Sequence, residues 1–173
     1  MKQRDINYLL FGTIEFDDTY IGGPTVGKKC GRGTEKSKVF VAVSIDKTGH
    51  QKYLKMQTTD NIQQRSVRKF AQSNIQAEAT IISDGYRGYI PALKDYKYEH
   101  GVYNPDAGML HWLHTMIGNA KAFILGTYHG LPKKNLQEYL DEFCYRFNRR
   151  HFTDLCDRLT NAIPISSFTD LKG

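Results

Sequence analysis

Two aspartates, Asp17 and Asp18, lie inside an alternating apolar stretch, GTIEFDDTYI at 12–21. Carboxylates are depleted in strands and costly to bury without partners. The pair is therefore either a solvated edge face or part of a site. Alternation puts Asp17 on one face with Glu15 and Thr19, and Asp18 on the other with Ile14 and Phe16. Asp84 follows a second apolar run, ATIIS at 79–83, and precedes Gly85. Side chains at the carboxyl ends of strands reach the crevice in which α/β sheets place their sites. The plainer alternative for Asp84 is a cap on the helix expected from Tyr86. Two carboxylates from separate strands that meet at one sheet end make a metal site, for ions such as Mg2+. Such hard ions take a few carboxylates and fill the rest of their shell with water and phosphate oxygens. A pair of them serves phosphoryl transfer, one at the attacking oxygen and one at the leaving oxygen.

A third contribution comes from 110–125, where Leu110, Leu113, Ile117, Ala120 and Ile124 share one helical face. His114 and Lys121 stand two turns apart at the border of that stripe. His114 is a candidate metal ligand, with a packing histidine as the plainer alternative, and Lys121 is a candidate phosphate-binding charge. His111 and His114 have no further ligands at zinc spacing. The glycine-rich loop with Lys28, Lys29, Arg32, Lys36 and Lys38, and the cluster Arg146, Arg149 and Arg150, are candidate grips on a DNA backbone. Taken singly, each is also readable as solvated charge.

The elements that must position these residues follow from periodicity. Strands are expected at 12–21, 38–45, 51–57 and 79–83, the first three as a meander. Helices are expected at 59–73 (capped by Thr-Thr-Asp), at 86–93 around Pro91, at 110–125, from Pro132 to about Arg150, and at 152–162. Residues 100–109 read as a loop. Strands, a helix, a strand, then helices is the order of a ribonuclease-H-like α/β fold.

Composition is compatible with one such domain. The 173 residues are 40% hydrophobic and 24% charged, which argues against disorder. The excess of 24 Lys+Arg over 18 Asp+Glu gives +6, which suits a polyanionic partner. The three cysteines, Cys30, Cys144 and Cys156, form no CxxC pair, so neither a disulfide framework nor a structural zinc is expected. With no apolar run of ~18–20 residues and no signal-peptide core, a cytoplasmic protein is expected.

GTIEFDDTYIGG resembles the first catalytic motif of DDE insertion-sequence transposases of the ISXO-like branch, and IISDGYRGY resembles their second. GTYHG and LQEYLDEFCYRFNRR are similar to the C-terminal signature of the same family. The four motifs occur in order and span nearly the whole chain. The resemblance implies a ribonuclease-H-like mixed five-stranded sheet flanked by helices, with a helical C-terminal part. It implies Asp17 and Asp84 as ligands of two Mg2+ or Mn2+ ions, and His114 where relatives carry Glu. Lys121 resembles a DNA-positioning lysine, and Asp18 stands where Glu is commoner. Element ends and target DNA, and a homo-oligomer on DNA, are the implied partners; no membrane or small-molecule partner is implied. An imidazole in third place implies a preference for Mn2+ and loss of the ligand below about pH 6.5. Relatives carry a zinc ribbon and a helix-turn-helix before the first motif, and neither fits here. The expectation is a single catalytic domain over 1–173. The alternatives are a nuclease or resolvase of the same fold without strand transfer, and a truncated, inactive DNA-binding remnant.

Overall fold

The computed structural model describes residues 8–22, 36–101, 108–127 and 132–153. Strand β1 (Thr13–Ile21) pairs antiparallel with β2 (Ser37–Ile45), and β2 pairs antiparallel with β3 (Gln51–Thr59). On the other side of β1, β4 (Thr80–Ser83) runs parallel to it, and β5 (Lys97–His100) runs parallel to β4. The order β3-β2-β1-β4-β5 is the mixed five-stranded sheet of the ribonuclease-H-like fold.

Helices cover both faces. Helix α1 (Gln64–Asn74) lays Val67, Phe70 and Ala71 on Ile14, Phe16, Phe40, Ala42 and Ile81. Phe16 meets Phe40, Phe70 and Tyr89 at ring-centroid distances of 5.8, 5.6 and 5.1 Å, which makes that core largely aromatic. Helices α2 (His111–Thr127) and α3 (Leu136–Asn148) cover Val39, Val41, Val43, Leu54 and Met56 on the opposite face. Strand β2 is thus buried on both faces, which is why SKVFVAVSI reads as a continuous apolar run while β1 alternates.

Several expectations are corrected. Thr59 ends β3 instead of opening a helix, because β3 stays paired with β2 up to Lys38 opposite Thr59. Helix α1 starts at Gln64, and Asn61 organises its entry by accepting from the Gln63 N–H at 3.1 Å and the Ser66 hydroxyl at 2.8 Å. Residues 86–93 form successive turns closed by Tyr89 N–H to Tyr86 C=O and Ala92 N–H to Tyr89 C=O, at 2.9 and 3.0 Å. Pro91 lacks the N–H a helix would use there. Strand β5, KYEH, carries no apolar run, as befits a short charged edge. Finally, Pro132 precedes a 3-10 turn at Lys133–Asn135, and α3 follows it. Of the helix expected at 152–162, Phe152 and Thr153 are not helical and the remainder lies outside the described residues.

The other edge strand, β3, is capped by side chains of α3. Asn148 accepts from the Leu54 N–H at 2.7 Å and donates to the Leu54 carbonyl at 3.0 Å. Gln137 accepts from the Thr58 N–H at 2.7 Å and donates to the Met56 carbonyl at 3.1 Å. Arg150, just past the helix, donates to the carbonyls of Gln51 and Lys52 at 2.6 and 3.2 Å. These groups stand where a further strand would bond, and so close the edge against pairing with other chains. Asn148→Ala would orphan both polar groups of Leu54, which is fully buried. The expected cost is about 2–4 kcal/mol, read as a lower melting temperature with early loss of amide-exchange protection at Leu54. Gln137→Ala, at the half-buried end of the strand, is expected to cost less.

Candidate active site

The β1–β4 register pairs Glu15 with Ile82; carried two residues further, it brings Asp17 level with Asp84 on the α2 side of the sheet. Strand β4 stops for a local reason. After Asp84 the chain turns at Gly85, at φ +75°, where an added Cβ would meet the Gly101 carbonyl at 3.0 Å. Only glycine adopts that backbone without strain. Asp84 Oδ1 accepts from the Tyr86 N–H at 3.1 Å, an Asx turn that fixes the carboxylate at the strand end. The capping role weighed for Asp84 is therefore real, though it caps a turn and not a helix.

Asp17 is pinned in a similar way. Its Oδ1 accepts from the Asp18 N–H at 2.7 Å and from the Tyr89 hydroxyl at 3.2 Å. Asp18, on the opposite face, accepts a second hydrogen bond from the same hydroxyl. Tyr89 is itself fully buried in the aromatic core. Burial and the neighbouring carboxylates push its phenol well above the ordinary range, so it acts as a donor. Burial, then the negative charge of Asp84, pushes the Asp17 carboxyl up to about 7.

Helix α2 brings the third contribution. Its start is clamped to β1 by Glu15, whose Oε2 accepts from the Leu113 N–H at 2.6 Å. Burial raises the Glu15 pKa, while the N–H of Leu113 lowers it. Trp112 Nε1 donates to the Gly49 carbonyl at 2.7 Å and ties the same turn to the β2–β3 hairpin. Leu110, buried at φ 55°, makes the tight entry into the helix. From this anchored turn His114 and Lys121 line the rim. Partial burial lowers the His114 pKa against the pull of Asp84, and Lys121 lowers it further. Burial also lowers Lys121, helped by the charge of Lys36. Asp17, Asp84, His114, Lys121 and Lys36 thus form one electrostatically connected series. The sequence marked Asp17, Asp84, His114 and Lys121; the clamp by Glu15 and the bridge by Tyr89 were missed. Glu15 lies on the Asp17 face and Tyr89 closes the second motif, but their partners are remote in sequence.

The basic candidates divide. Lys28, Lys29 and Arg32 lie outside the described residues. Lys38 Nζ donates to the Asp60 carbonyl at 2.8 Å. Arg146 pairs with Glu142 at 2.6 Å, and Arg149 lies over the Tyr145 ring at 3.8 Å. Arg150 stacks on Phe147 at 3.9 Å while bonding the β3 edge, so its fork already has structural partners.

A sequence model of the ISXO2-like transposase domain matches residues 9–148. The chain belongs to this family. No curated protein sequence matches it. Among solved structures it is similar to the catalytic core of the HTLV-2 integrase in complex with magnesium, with TM-score 0.48 and 12% identity over 86% of this chain and 92% of that one. It is also similar to a chain of the simian T-cell lymphotropic virus intasome in complex with PP2A regulatory subunit B56 gamma, with TM-score 0.44 and 10% identity over 90% of this chain. A third is the Mos1 mariner paired end complex with Mn, with TM-score 0.43 and 14% identity over 88% of this chain. The chain spans 61% and 54% of the last two.

Among the described residues no three His, Cys, Asp or Glu side chains form a closed ligand cluster. The donor set nevertheless fits the divalent ions that this family implies. Asp17 and Asp84 each bind protein donors through one oxygen, and among the described residues none donates to their other oxygens. Two level carboxylates, one of them held near pH 7 by burial first and by the charge of its partner second, fit a cation that is also partly coordinated by water and phosphate.

With no ion bound, Asp17 holds its proton more tightly in the fold, at about 7, than in the unfolded chain, near 3.8. Its contribution is therefore most favourable below pH 4 and is lost as pH rises to about 7, a change on the order of 4 kcal/mol. In chelator, Asp17→Asn is expected to melt at a higher temperature than the parent at pH 8, and the gap should shrink towards pH 5. Glu15→Ala is expected to cost about 1–2 kcal/mol, with Glu15→Gln recovering part because its amide oxygen still accepts. Thermal melts of the variants across pH check both.

Proposed function

We propose that this domain cuts DNA at the ends of an insertion sequence and joins the freed ends to target DNA. The observation that carries the reading is the level pair Asp17 and Asp84 on adjacent parallel strands, with Asp17 raised to about 7 by burial and by its partner. Family membership supplies the reaction class.

In this reading Asp17 and Asp84 hold Mg2+ or Mn2+, with His114 as the third contact from α2. The ions, when bound, lower the pKa of the attacking oxygen and neutralise charge on the leaving one. The chain's own residues do the rest. Tyr89 keeps Asp17 and Asp18 in register through one hydroxyl. The Asx turn holds Asp84, and Glu15 sets the distance of α2 from β1. Lys121 meets a phosphate at the rim. Water first attacks the phosphorus at the element end and the bond to the 3′ oxygen breaks. The resulting 3′-hydroxyl then attacks a target phosphodiester, whose own bond to its 3′ oxygen breaks and leaves a 3′-hydroxyl on the target strand, so no protein–DNA bond forms. Joining two ends calls for more than one copy of the chain on the DNA.

His114 refines the expectation about pH. Because its pKa is held below the ordinary histidine value, protonation removes the ligand at a lower pH than the 6.5 of a free imidazole.

Cleavage and strand-transfer assays on DNA carrying the element ends test the reading. The parent should yield both products with Mn2+ in preference to Mg2+, and Asp17→Asn and Asp84→Asn should lose both by at least about a hundredfold, a few kcal/mol of barrier. His114→Glu should shift the preference towards Mg2+. Cleavage without joining would favour a nuclease or resolvase, and no metal-dependent product of either kind would leave a DNA-binding remnant. A His114→Ala protein that cuts like the parent would make His114 a packing residue.

A further inference from the structure

We propose that a lysine-lined groove beside the Asp17–Asp84 crevice grips the phosphates of duplex DNA as it leaves the site. This rests on the DNA-processing reading above and names the surface that carries the DNA onward.

The groove encloses about 830 Å3 where β2 begins and β3 ends, and Lys36, Lys38, Lys69, Lys133 and Lys134 line it. Those lysines come from the start of β2, from α1 and from the 3-10 turn before α3, segments remote in sequence that the fold brings to one place. Asp60 supplies the one carboxylate of the lining, and Lys38 bonds its backbone carbonyl instead. Lys69 and Lys134 are exposed and take part in no ion pair among the described residues. Concentrated like charge facing one groove raises the local concentration of a polyanion. A solvated face with no partner would instead intersperse both signs.

Its position relates it to the site. Ser37 at the start of β2 pairs with Ile21 at the end of β1, so the groove opens at the carboxyl end of β1, the same end of the sheet at which Asp84 follows the parallel strand β4. The charge of Lys36 reaches Lys121, that of Lys121 reaches His114, and Asp84 acts on His114 as well. A chain of phosphates leaving the carboxylates would meet these cations in turn. The aromatic rings on the groove floor, Phe40 and Phe70, are 1% and 2% exposed, so no face is offered for base stacking. Single-strand binders rely on such faces. The groove therefore fits the backbone of a duplex and reads no sequence.

Fluorescence anisotropy with a duplex of arbitrary sequence, in chelator and over roughly 50–200 mM salt, tests this. The variants are the double change Lys69→Glu, Lys134→Glu and, as a control of equal charge, Lys47→Glu, Lys52→Glu at the opposite end of the β2–β3 hairpin. Melting temperatures confirm that both pairs fold. The groove pair is expected to weaken binding about tenfold or more at the lowest salt, and to flatten the slope of log affinity against log salt by about two, near 0.9 per lost phosphate contact. The control pair should leave the slope unchanged and affinity within about threefold. Equal losses in both pairs, an unchanged slope in the groove pair, or a parent that does not bind duplex would each overturn the proposal. Because binding is measured without metal, a parent that binds through the groove and never cuts would uphold this surface while removing the catalytic reading.

Discussion

The site is organised around one unfavourable contact, the approach of two carboxylates from neighbouring parallel strands. The β1–β4 register sets it, and half-burial makes it felt: Asp17 is raised to about 7 by desolvation first and by Asp84 second. Residues around the pair hold it in place without discharging it. Tyr89 and the Asp18 N–H bind one oxygen of Asp17, and the Tyr86 N–H binds one oxygen of Asp84. None of these donors carries a positive charge, so the negative charge remains for a bound cation. The cost in the empty site is the usual one for functional groups whose strain is supported by the surrounding fold.

That support reaches both faces. From the aromatic core under α1, the Tyr89 hydroxyl rises to the strand. From the other face, Glu15 draws the start of α2 onto β1 and thereby fixes where His114 and Lys121 stand. The capped edge of β3 holds α3 against the sheet, and the turn that leads into α3 carries Lys133 and Lys134 to the groove. Fold, site and basic groove therefore share the same few anchors.

Much of this was legible in the sequence where a single periodicity ruled. Alternation in β1 correctly separated Asp17 and Glu15 from Ile14 and Phe16, and the 3.6-residue stripe of α2 correctly identified its buried face. What escaped was non-local. Thr59 belongs to a strand because Lys38 lies opposite it, and KYEH is a strand because β4 offers an edge. Local preference at 86–93 favoured a helix, yet the chain there serves to deliver Tyr89 to the aspartates. Arg150 read as a charge for DNA, whereas its carbonyl partners on β3 lie far away in sequence.

The most direct measurement is the position of a bound ion. Crystals grown or soaked with Mn2+ would show it by anomalous scattering. A peak between the Asp17 and Asp84 carboxylates, with the imidazole of His114 turned towards it and the peak lost in Asp17→Asn, is the expected result. An empty crevice at millimolar Mn2+, or a peak only at other residues, would contradict the assignment of these two aspartates as the metal-binding pair.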